Sequence, residues 1–281
     1  MRPLDKPDIN VEDIFCACSE HFRDKDLVNR LLSCKDSIVK ISSDFDKLAT
    51  EHETYKMDES IANKGVVTDK ELKKVYTEKM AAPNSIGKKY YSQILAMPHN
   101  ELCPLCGARM VSTLDHYLPK AKYPSLSVTP TNLIAACRDC NFDKSDIEFT
   151  SSDDETLHPY YDNIENHRWL FCDVMESNPI SFKYGIKMMD TTDEILFQRI
   201  TNHFDTFNLG KLYSVKASEM ISGIESMLKR LYSRAGESAV RLQIEEDMLS
   251  RELLSLNSWQ SAFYRGIHNS KWFFSEWIAD E

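Results

Sequence analysis

Apolar positions at helical spacing dominate the first third of the chain. Val28, Leu31, Leu32 and Ile38 recur with the period of one face of an amphipathic helix. Residues 1–98 are therefore predicted to form a mostly helical N-terminal region. The pattern changes at residue 99, where Pro, Asn, Asp and paired Cys replace long apolar runs. This second region, residues 99–160, carries most of the candidate chemistry.

Residues 161–281 start with two strand-like segments and continue with helical periodicity. The segments WLFCDVM and ISFKYGI flank the turn sequence Glu-Ser-Asn-Pro at residues 176–179, a pattern that predicts a β-hairpin. A following helix is predicted from apolar residues three or four positions apart. They are Tyr213, Ala217, Met220, Ile224, Met227 and Leu231. A second helix is predicted over residues 238–256.

Aromatic residues are concentrated near the C-terminal end. They are Trp259, Phe263, Tyr264, Trp272, Phe273, Phe274 and Trp277. One interpretation places these side chains in the core of the C-terminal region. The other makes them a surface for a partner, because aromatic residues are enriched at interface hot spots. The C-terminal region is expected to bind a partner.

Composition limits the class of protein. The chain has 281 residues and a formal net charge of −10. It has no run of about 18 or more apolar residues and no apolar signal segment near its start, so a cytoplasmic protein without a membrane span is expected. The acidic balance argues against nucleic-acid binding over the whole surface. It leaves room for a local basic cleft, or for another component that delivers the substrate.

The chain has eight cysteines. In the reducing compartment expected for this protein, disulfide bonds are rare, so metal binding or burial is the expected role of these cysteines. Four of them form two Cys-x-x-Cys pairs, and two such pairs complete the tetrahedral sulfur shell of a structural Zn²⁺. These four are Cys103, Cys106, Cys137 and Cys140. The remaining four are predicted to be buried apolar side chains. They are Cys16, Cys18, Cys34 and Cys172.

Asp115-His116 and Asn132 lie between the cysteine pairs, and Asn141 directly follows the second pair. In this order and spacing the segment resembles the HNH endonuclease motif in its zinc-bound form, tightly over residues 101–146. The resemblance implies an α+β fold in which a small zinc-stabilised ββα-metal core lies between mostly α-helical regions. It also implies an enzyme, an endonuclease that hydrolyses phosphodiester bonds.

The residue types support the same chemistry. A neutral His116 can accept a proton from water, and a divalent cation bound by Asp115 can stabilise the charge at a phosphate. The family pattern makes Asn141 the second protein ligand and Asn132 the residue that orients the base. This hard ligand set favours Mg²⁺ or Mn²⁺. Many family members carry His where this chain has Asn141, which leaves Asp143 or Asp146 as alternative ligands.

Several basic residues in or near the motif are candidate nucleic-acid contacts. They are Lys120, Lys122, Arg138, Lys144 and His158. Each of the first four is equally compatible with a solvated surface side chain. His158 follows the motif, and it either contacts the scissile phosphate or metal, or packs as a structural histidine.

Longer strings resemble the PtuB-like HNH subunit of Septu and retron-associated anti-phage defence systems. These strings are MRPLDKP, DHYLPKAKYP, NLIAACRDCNFDKS and HPYYD. The resemblance implies an ABC/SMC-like ATPase partner (PtuA-like), a reverse transcriptase with its noncoding DNA in retron systems, and a DNA substrate. The alternatives are a stand-alone restriction-type HNH nuclease and a non-catalytic zinc ribbon that binds nucleic acid or protein. Asp115-His116 argues against the ribbon, which has no need of that pair.

Overall fold

A computed structural model describes residues 1–58, 65–166, 168–187 and 193–279. The chain forms two compact units, Arg2–Asp162 and Asn163–Glu281. The first unit contains the elements α1 (Val11–Ser19), α2 (Lys25–Ser33), α3 (Lys35–Thr50), α4 (Asp69–Lys79), α5 (Lys88–Leu95), β1 (Thr113–His116), β2 (Leu133–Ala136) and α6 (Arg138–Lys144). Both the helical region predicted over residues 1–98 and the segment predicted over 99–160 lie in this unit.

Helix α4 has a well-defined start that ties it to α2. The Thr68 hydroxyl accepts from the Glu71 backbone N–H, and the Glu71 carboxylate accepts from the Thr68 N–H, so the pair forms a capping box. The same carboxylate accepts two hydrogen bonds from the Arg30 guanidinium of α2, at 2.7 and 3.0 Å. Helix α4 in turn packs against α1, which fixes the helical layer beside the ββα segment.

Strands β1 and β2 pair antiparallel, with Thr113 opposite Ala136 and His116 opposite Leu133. All four residues of β2 are buried, as expected for an apolar strand enclosed on both faces. Helix α6 starts two residues after β2 ends. This ββα arrangement in a largely helical chain confirms the α+β fold predicted from the sequence.

The second unit contains the predicted hairpin, followed by helices. Its elements are β3 (Leu170–Met175), β4 (Ser181–Ile186), α7 (Glu194–Thr206), α8 (Leu209–Glu252) and α9 (Trp259–Asn269). Strands β3 and β4 pair antiparallel, which confirms the hairpin. Helix α8 is interrupted at Gly236, where φ is +78°, a conformation that glycine adopts without steric cost. The break agrees with two successive helices in this part of the chain.

The buried face of α8 differs in part from the predicted stripe. Tyr213 and Ala217 are buried as expected, but the face continues through Ile221 and Leu228. Met227 is 38% exposed. The difference is a shift of one residue: the buried positions Ile221 and Leu228 directly follow the predicted positions Met220 and Met227, and either set fits the apolar period.

Most of the aromatic residues near the C-terminal end lie in the core, which confirms the first of the two interpretations. Phe263, Phe273 and Phe274 are fully buried, and Trp272 and Trp277 are half-buried. The scattered cysteines also follow the prediction. Cys18, Cys34 and Cys172 are buried, and Cys16 is half-buried.

None of the helices in the described ranges is long and apolar enough to cross a membrane.

Candidate active site and metal sites

The four paired cysteines converge at one point in the first unit. Their sulfur atoms all lie within 4.8 Å of one another, and all four residues are buried. A tetrahedral Zn²⁺ with Zn–S bonds of about 2.3 Å needs sulfurs about 3.8 Å apart. The donor set and its spacing therefore fit a structural zinc ion, with no protein ligand position left open for a substrate.

Local backbone geometry presents the two cysteine pairs. In the first pair, the Gly107 N–H donates to the Cys103 carbonyl at 2.7 Å, and Gly107 has φ +61°. A side chain is strained in this region of the Ramachandran map, so glycine suits the turn. In the second pair, Cys137 caps α6 by accepting from the Cys140 N–H. The proposed zinc would therefore link the segment before β1 to the start of α6.

Three predicted motif residues meet at one cavity of about 450 Å³ near the end of β1. Asp115, His116 and Asn141 all line it. The cavity is also lined by Tyr76, Tyr91, Lys120, Phe142, Ser145 and Asp146. The strand contributes the carboxylate and the imidazole, and α6 contributes the amide.

The imidazole of His116 is fixed in one orientation. Its Nε2 lies 2.9 Å from the backbone carbonyl of Ser127, which can only accept, so Nε2 carries the hydrogen. In the neutral ring Nδ1 is then the proton acceptor. The edge of the ring packs against Tyr76, with the ring centroids 4.5 Å apart.

Burial, together with the positive charge of Lys120, lowers the pKa of His116 to about 3. Both effects disfavour the imidazolium, because a charge is costly in a buried site and is repelled by a nearby cation. The side chain is therefore neutral at neutral pH and has an acceptor nitrogen. This is the protonation state that a general base needs.

Asp115 is buried and lies beside one cation. The Nζ of Lys144 is 3.5 Å from Oδ2 of Asp115, and this oxygen has no hydrogen-bond partner among the described residues. Burial raises the pKa of Asp115, and the charge of Lys144 opposes that rise. A buried carboxylate oxygen at a cavity, with an ion pair at 3.5 Å but no hydrogen bond, fits a ligand for a divalent cation.

Asn141 is the middle residue of α6 and is half-buried at the cavity. Its amide oxygen is a hard neutral donor of the kind that Mg²⁺ and Mn²⁺ accept. Of the two alternative ligands, Asp146 lines the cavity, whereas Asp143 does not. Asp115, Asn141 and Asp146 are therefore the described groups from which a catalytic cation site can be built.

Asn132 does not line the cavity. Its fully buried amide joins the two ends of the loop after β1: Oδ1 accepts from the Leu118 N–H at 2.8 Å, and Nδ2 donates to the Leu118 and Leu126 carbonyls. Ser127, whose carbonyl holds His116, is the next residue along that loop. Asn132 is thus placed to act on the imidazole indirectly, through the backbone at Ser127.

The five candidate nucleic-acid contacts lie in different surroundings. Lys120 is half-buried at the cavity, and Arg138 is exposed. Lys122 forms an ion pair with Glu148. Lys144 is 1% exposed, and its ammonium donates to the His116 carbonyl at 2.6 Å. It therefore belongs to the interior groups that hold the motif rather than to a surface that a phosphate can reach.

His158 is buried among aromatic rings outside the cavity. Its ring centroid lies 4.3 Å from that of Tyr117 and 4.7 Å from that of Tyr161. Its Nδ1 accepts from the Tyr160 N–H at 3.2 Å. These contacts support the packed structural histidine over a phosphate or metal ligand.

Sequence reasoning missed three parts of this site. Ser127 acts through its backbone carbonyl, which every residue carries, so no side-chain pattern identifies it. Tyr76 occupies an ordinary apolar position of α4 beside buried Leu72 and Val75. Phe142 is 79% exposed on the cavity rim, and its exposure could not be inferred from a short helix.

Comparisons with known proteins agree with the geometry. Residues 103–146 match the HNH endonuclease family model, which confirms the HNH segment predicted over residues 101–146. The chain is 25% identical to protein ea31 of Escherichia phage lambda over 98% of this chain and 99% of that protein. It is 26% identical to the Septu protein PtuB of Bacillus thuringiensis over 42% of this chain and 48% of that protein. No solved structure matches the chain.

Proposed function

Because residues 103–146 match the HNH endonuclease family, we propose that this protein is a metal-dependent endonuclease that hydrolyses phosphodiester bonds of nucleic acid, with DNA as the first substrate to test. The observation that carries the proposal is the state of His116. Its imidazole is fixed through Nε2 by the Ser127 carbonyl, burial lowers its pKa and so favours the neutral form, and it lines the same cavity as Asp115 and Asn141.

The proposed chemistry assigns one task to each group. His116 accepts a proton from the attacking water at Nδ1, and the Ser127 carbonyl stabilises the N–H at the opposite side of the ring. Asp115 and Asn141 would hold Mg²⁺ or Mn²⁺, with Asp146 as a further candidate ligand. When bound, that cation supplies charge stabilisation at the phosphate and at the departing oxygen.

Lys120 is the best-placed cation for the substrate backbone. It is half-buried at the cavity, and its Nζ lies 5.7 Å from the ring centroid of Tyr76. A positive charge there offsets part of the negative charge of a bound phosphate. The same charge helps to keep His116 neutral, so one residue would serve both binding and the state of the base.

The test is cleavage of plasmid DNA, single-stranded DNA and RNA with Mg²⁺ or Mn²⁺. Removing a general base lowers kcat by about 10²–10⁴-fold, so His116→Ala is expected to lose nearly all cleavage while keeping its zinc. His99→Ala is the matched control, because it removes an exposed imidazole from the same unit. Equal cleavage by the wild type and His116→Ala would remove His116 from the mechanism. No cleavage of any substrate by the folded wild type would favour the non-catalytic ribbon.

We also propose that the nuclease works with an ABC/SMC-like ATPase in anti-phage defence, on the basis of its similarity to the Septu protein PtuB. The second unit offers an apolar surface that suits such a partner. Leu242, Leu249 and Leu253 are 58%, 46% and 89% exposed. Leu242 and Leu249, seven residues apart, lie on one face of α8, and Leu253 directly follows the end of that helix.

Co-purification tests the partner. The wild-type chain is expected to retain an ATPase encoded beside it, and the triple change of Leu242, Leu249 and Leu253 to Ser is expected to lose it. The matched control is Val215→Ser, which removes another exposed apolar side chain, 60% exposed, from the same helix. A wild-type chain that never retains the ATPase would reject the partner and favour a stand-alone nuclease.

A further inference from the structure

Phe142 is unusual among the aromatic residues of this protein. Of the 13 phenylalanines and 4 tryptophans, all within the described ranges, only Phe142 has a mainly solvent-exposed side chain. It is 79% exposed. Its helix α6 needs no anchor from it, because Cys140 and Lys144 are the buried residues of that helix. Packing therefore gives no reason for a phenyl ring at this position.

The ring lies at the candidate active site. Phe142 follows Asn141 directly and lines the same cavity as Asp115 and His116. Its other neighbours on that cavity include the polar side chains of Lys120 and Asp146. A phenyl ring adds nothing to the binding of a phosphate, but it matches the flat apolar face of a nucleobase.

We propose that Phe142 stacks on the base next to the scissile phosphate, and that the site therefore takes an unpaired nucleotide. This inference rests on the proposed nuclease function. In a duplex both faces of each base are covered by neighbouring base pairs, so a protein ring can stack only after the base is unstacked. In a single strand, a bulge or a frayed end, a face is already open. The substrate class is thus single-stranded or locally unpaired nucleic acid.

The kinetic test uses the full chain and one labelled oligonucleotide sequence in three forms: single-stranded, fully paired, and paired with a three-nucleotide bulge. Phe142→Ala is expected to raise KM for the unpaired forms about 5- to 100-fold, the range that loss of one base–aromatic stack produces. Phe142→Trp should keep the wild-type KM. Met110→Ala is the matched control, since Met110 is 67% exposed in the same unit and does not line the cavity.

A substrate with an abasic position next to the cut separates stacking from a general loss of fit. The KM of the wild type should be higher for the abasic strand than for the intact strand. The increase should match the increase that Phe142→Ala causes on the intact strand. For Phe142→Ala, the KM for the abasic strand should be the same as the KM for the intact strand. An unchanged KM in Phe142→Ala, or a wild type that cleaves the duplex most efficiently, would overturn the inference. A contact of Phe142 with a partner protein instead would leave every KM unchanged.

A binding experiment keeps this inference distinct from the proposed function. The fluorescence of 2-aminopurine in a single strand is quenched when an aromatic ring stacks on the base. The variant His116→Ala is expected to bind the strand without cleaving it, so binding can be measured alone. Quenching by His116→Ala but not by the double variant His116→Ala/Phe142→Ala supports stacking even if no cleavage is found. Equal quenching by both rejects stacking, and cleavage by the wild type would still support the nuclease.

Discussion

The ammonium group of Lys144 donates a 2.6 Å hydrogen bond to the backbone carbonyl of His116, which joins the last turn of α6 to the end of β1. The same ammonium lies 3.5 Å from Oδ2 of Asp115. Because the bond ends on the backbone, it does not depend on the imidazole. Lys144 therefore links the helix that carries Asn141 to the strand that carries Asp115 and His116.

Replacement of Lys144 by Met is expected to lower the free energy of unfolding by about 3–5 kcal/mol, because it leaves the buried Asp115 carboxylate without its cation. The measurement is urea unfolding in buffer without added divalent cations. In the double variant with Asp115→Asn no charge remains unpaired. The two changes should therefore be non-additive by about 1–3 kcal/mol. Additive changes would show that the two side chains do not interact.

Asn132 should affect stability as well as activity. In Asn132→Ala, the N–H and the carbonyl of Leu118 lose their partner inside the protein, whereas the Leu126 carbonyl keeps the N–H of Thr129. Each unsatisfied group costs about 1–3 kcal/mol, so the two groups of Leu118 give an expected loss of about 2 kcal/mol or more. Cleavage per folded molecule should also fall, because the loop that presents Ser127 to His116 is no longer held.

The contrast with the general base tests this role. His116→Ala should lose activity far more than it loses stability, whereas Asn132→Ala should lose both together in thermal unfolding and in cleavage. Asn269→Ala, at an exposed position, serves as the control for the amide change. Wild-type stability in Asn132→Ala would show that its side chain does not hold the loop.

Zinc should be required for the structure around residues 101–146. Metal analysis is expected to find one zinc per chain, and Cys103→Ser or Cys140→Ser should abolish it. Binding of a structural zinc contributes directly to folding, so hydrogen exchange in β1, β2 and α6 should rise sharply in these variants. Cys16→Ser, which changes a half-buried thiol outside the cluster, should keep both zinc and protection. Full zinc content in Cys140→Ser would contradict the site.

The ion pair between Arg30 and Glu71 predicts a pH-dependent part of the stability. The Arg30 guanidinium and the Thr68 N–H lower the pKa of Glu71 from 4.5 to about 2. A carboxyl group with a lowered pKa in the folded state stabilises that state above its ordinary pKa. The contribution is therefore complete above about pH 4.5 and is lost as the pH falls towards 2.

The measurement compares the wild type with Glu71→Gln by urea unfolding between pH 6 and pH 2.5. Both side chains are partly exposed, so the difference at pH 6 is expected to be about 1 kcal/mol. It should shrink steadily below pH 4.5. The effect bears on the candidate site because α4 also carries Tyr76, which packs on His116. A difference that stays constant down to pH 2.5 would contradict the lowered pKa.

Short-range patterns were sufficient for much of this protein. The spacing of the cysteine pairs and the Asp115-His116 pair identified the ββα segment, and two strand-like segments on either side of a turn sequence identified the hairpin. These features depend on residues close in sequence or on a strict ligand geometry. Helix α7 was not predicted individually, and the buried face of α8 passes through Leu228 rather than Met227, because apolar residues occupy both positions.

The surroundings of the motif residues could not be predicted in the same way. Lys144 reads as a surface lysine on a short helix, and only the packing of α6 on β1 buries it. Ser127 contributes a carbonyl that any residue would offer. The exposure of Phe142 likewise depends on which side of α6 faces the core. In each case the deciding fact is a contact between segments distant in sequence, which one sequence does not encode as a local pattern.

Asn141 should set the metal preference of the proposed nuclease. An amide oxygen and a carboxylate suit Mg²⁺ and Mn²⁺, whereas an imidazole suits softer ions such as Ni²⁺ and Zn²⁺. The change Asn141→His is therefore expected to shift the best cation for cleavage away from Mg²⁺ and Mn²⁺ towards Ni²⁺. Asn141→Ala should raise the Mg²⁺ concentration needed for half-maximal cleavage by about 10- to 100-fold, the cost of disturbing a metal site.

Two acidic residues that follow Asn141 within five positions provide a comparison that identifies the ligands of the catalytic cation. Asp146 lines the cavity and Asp143 does not, although both are exposed and both lie close to Asn141 in sequence. If Asp146 is a ligand, Asp146→Asn should raise the Mg²⁺ requirement as Asn141→Ala does, while Asp143→Asn leaves it unchanged. An unchanged Mg²⁺ requirement in both Asn141→Ala and Asp146→Asn would leave Asp115 as the one remaining candidate ligand among the described cavity residues. The cation would then have to be held mainly by the substrate phosphate and water.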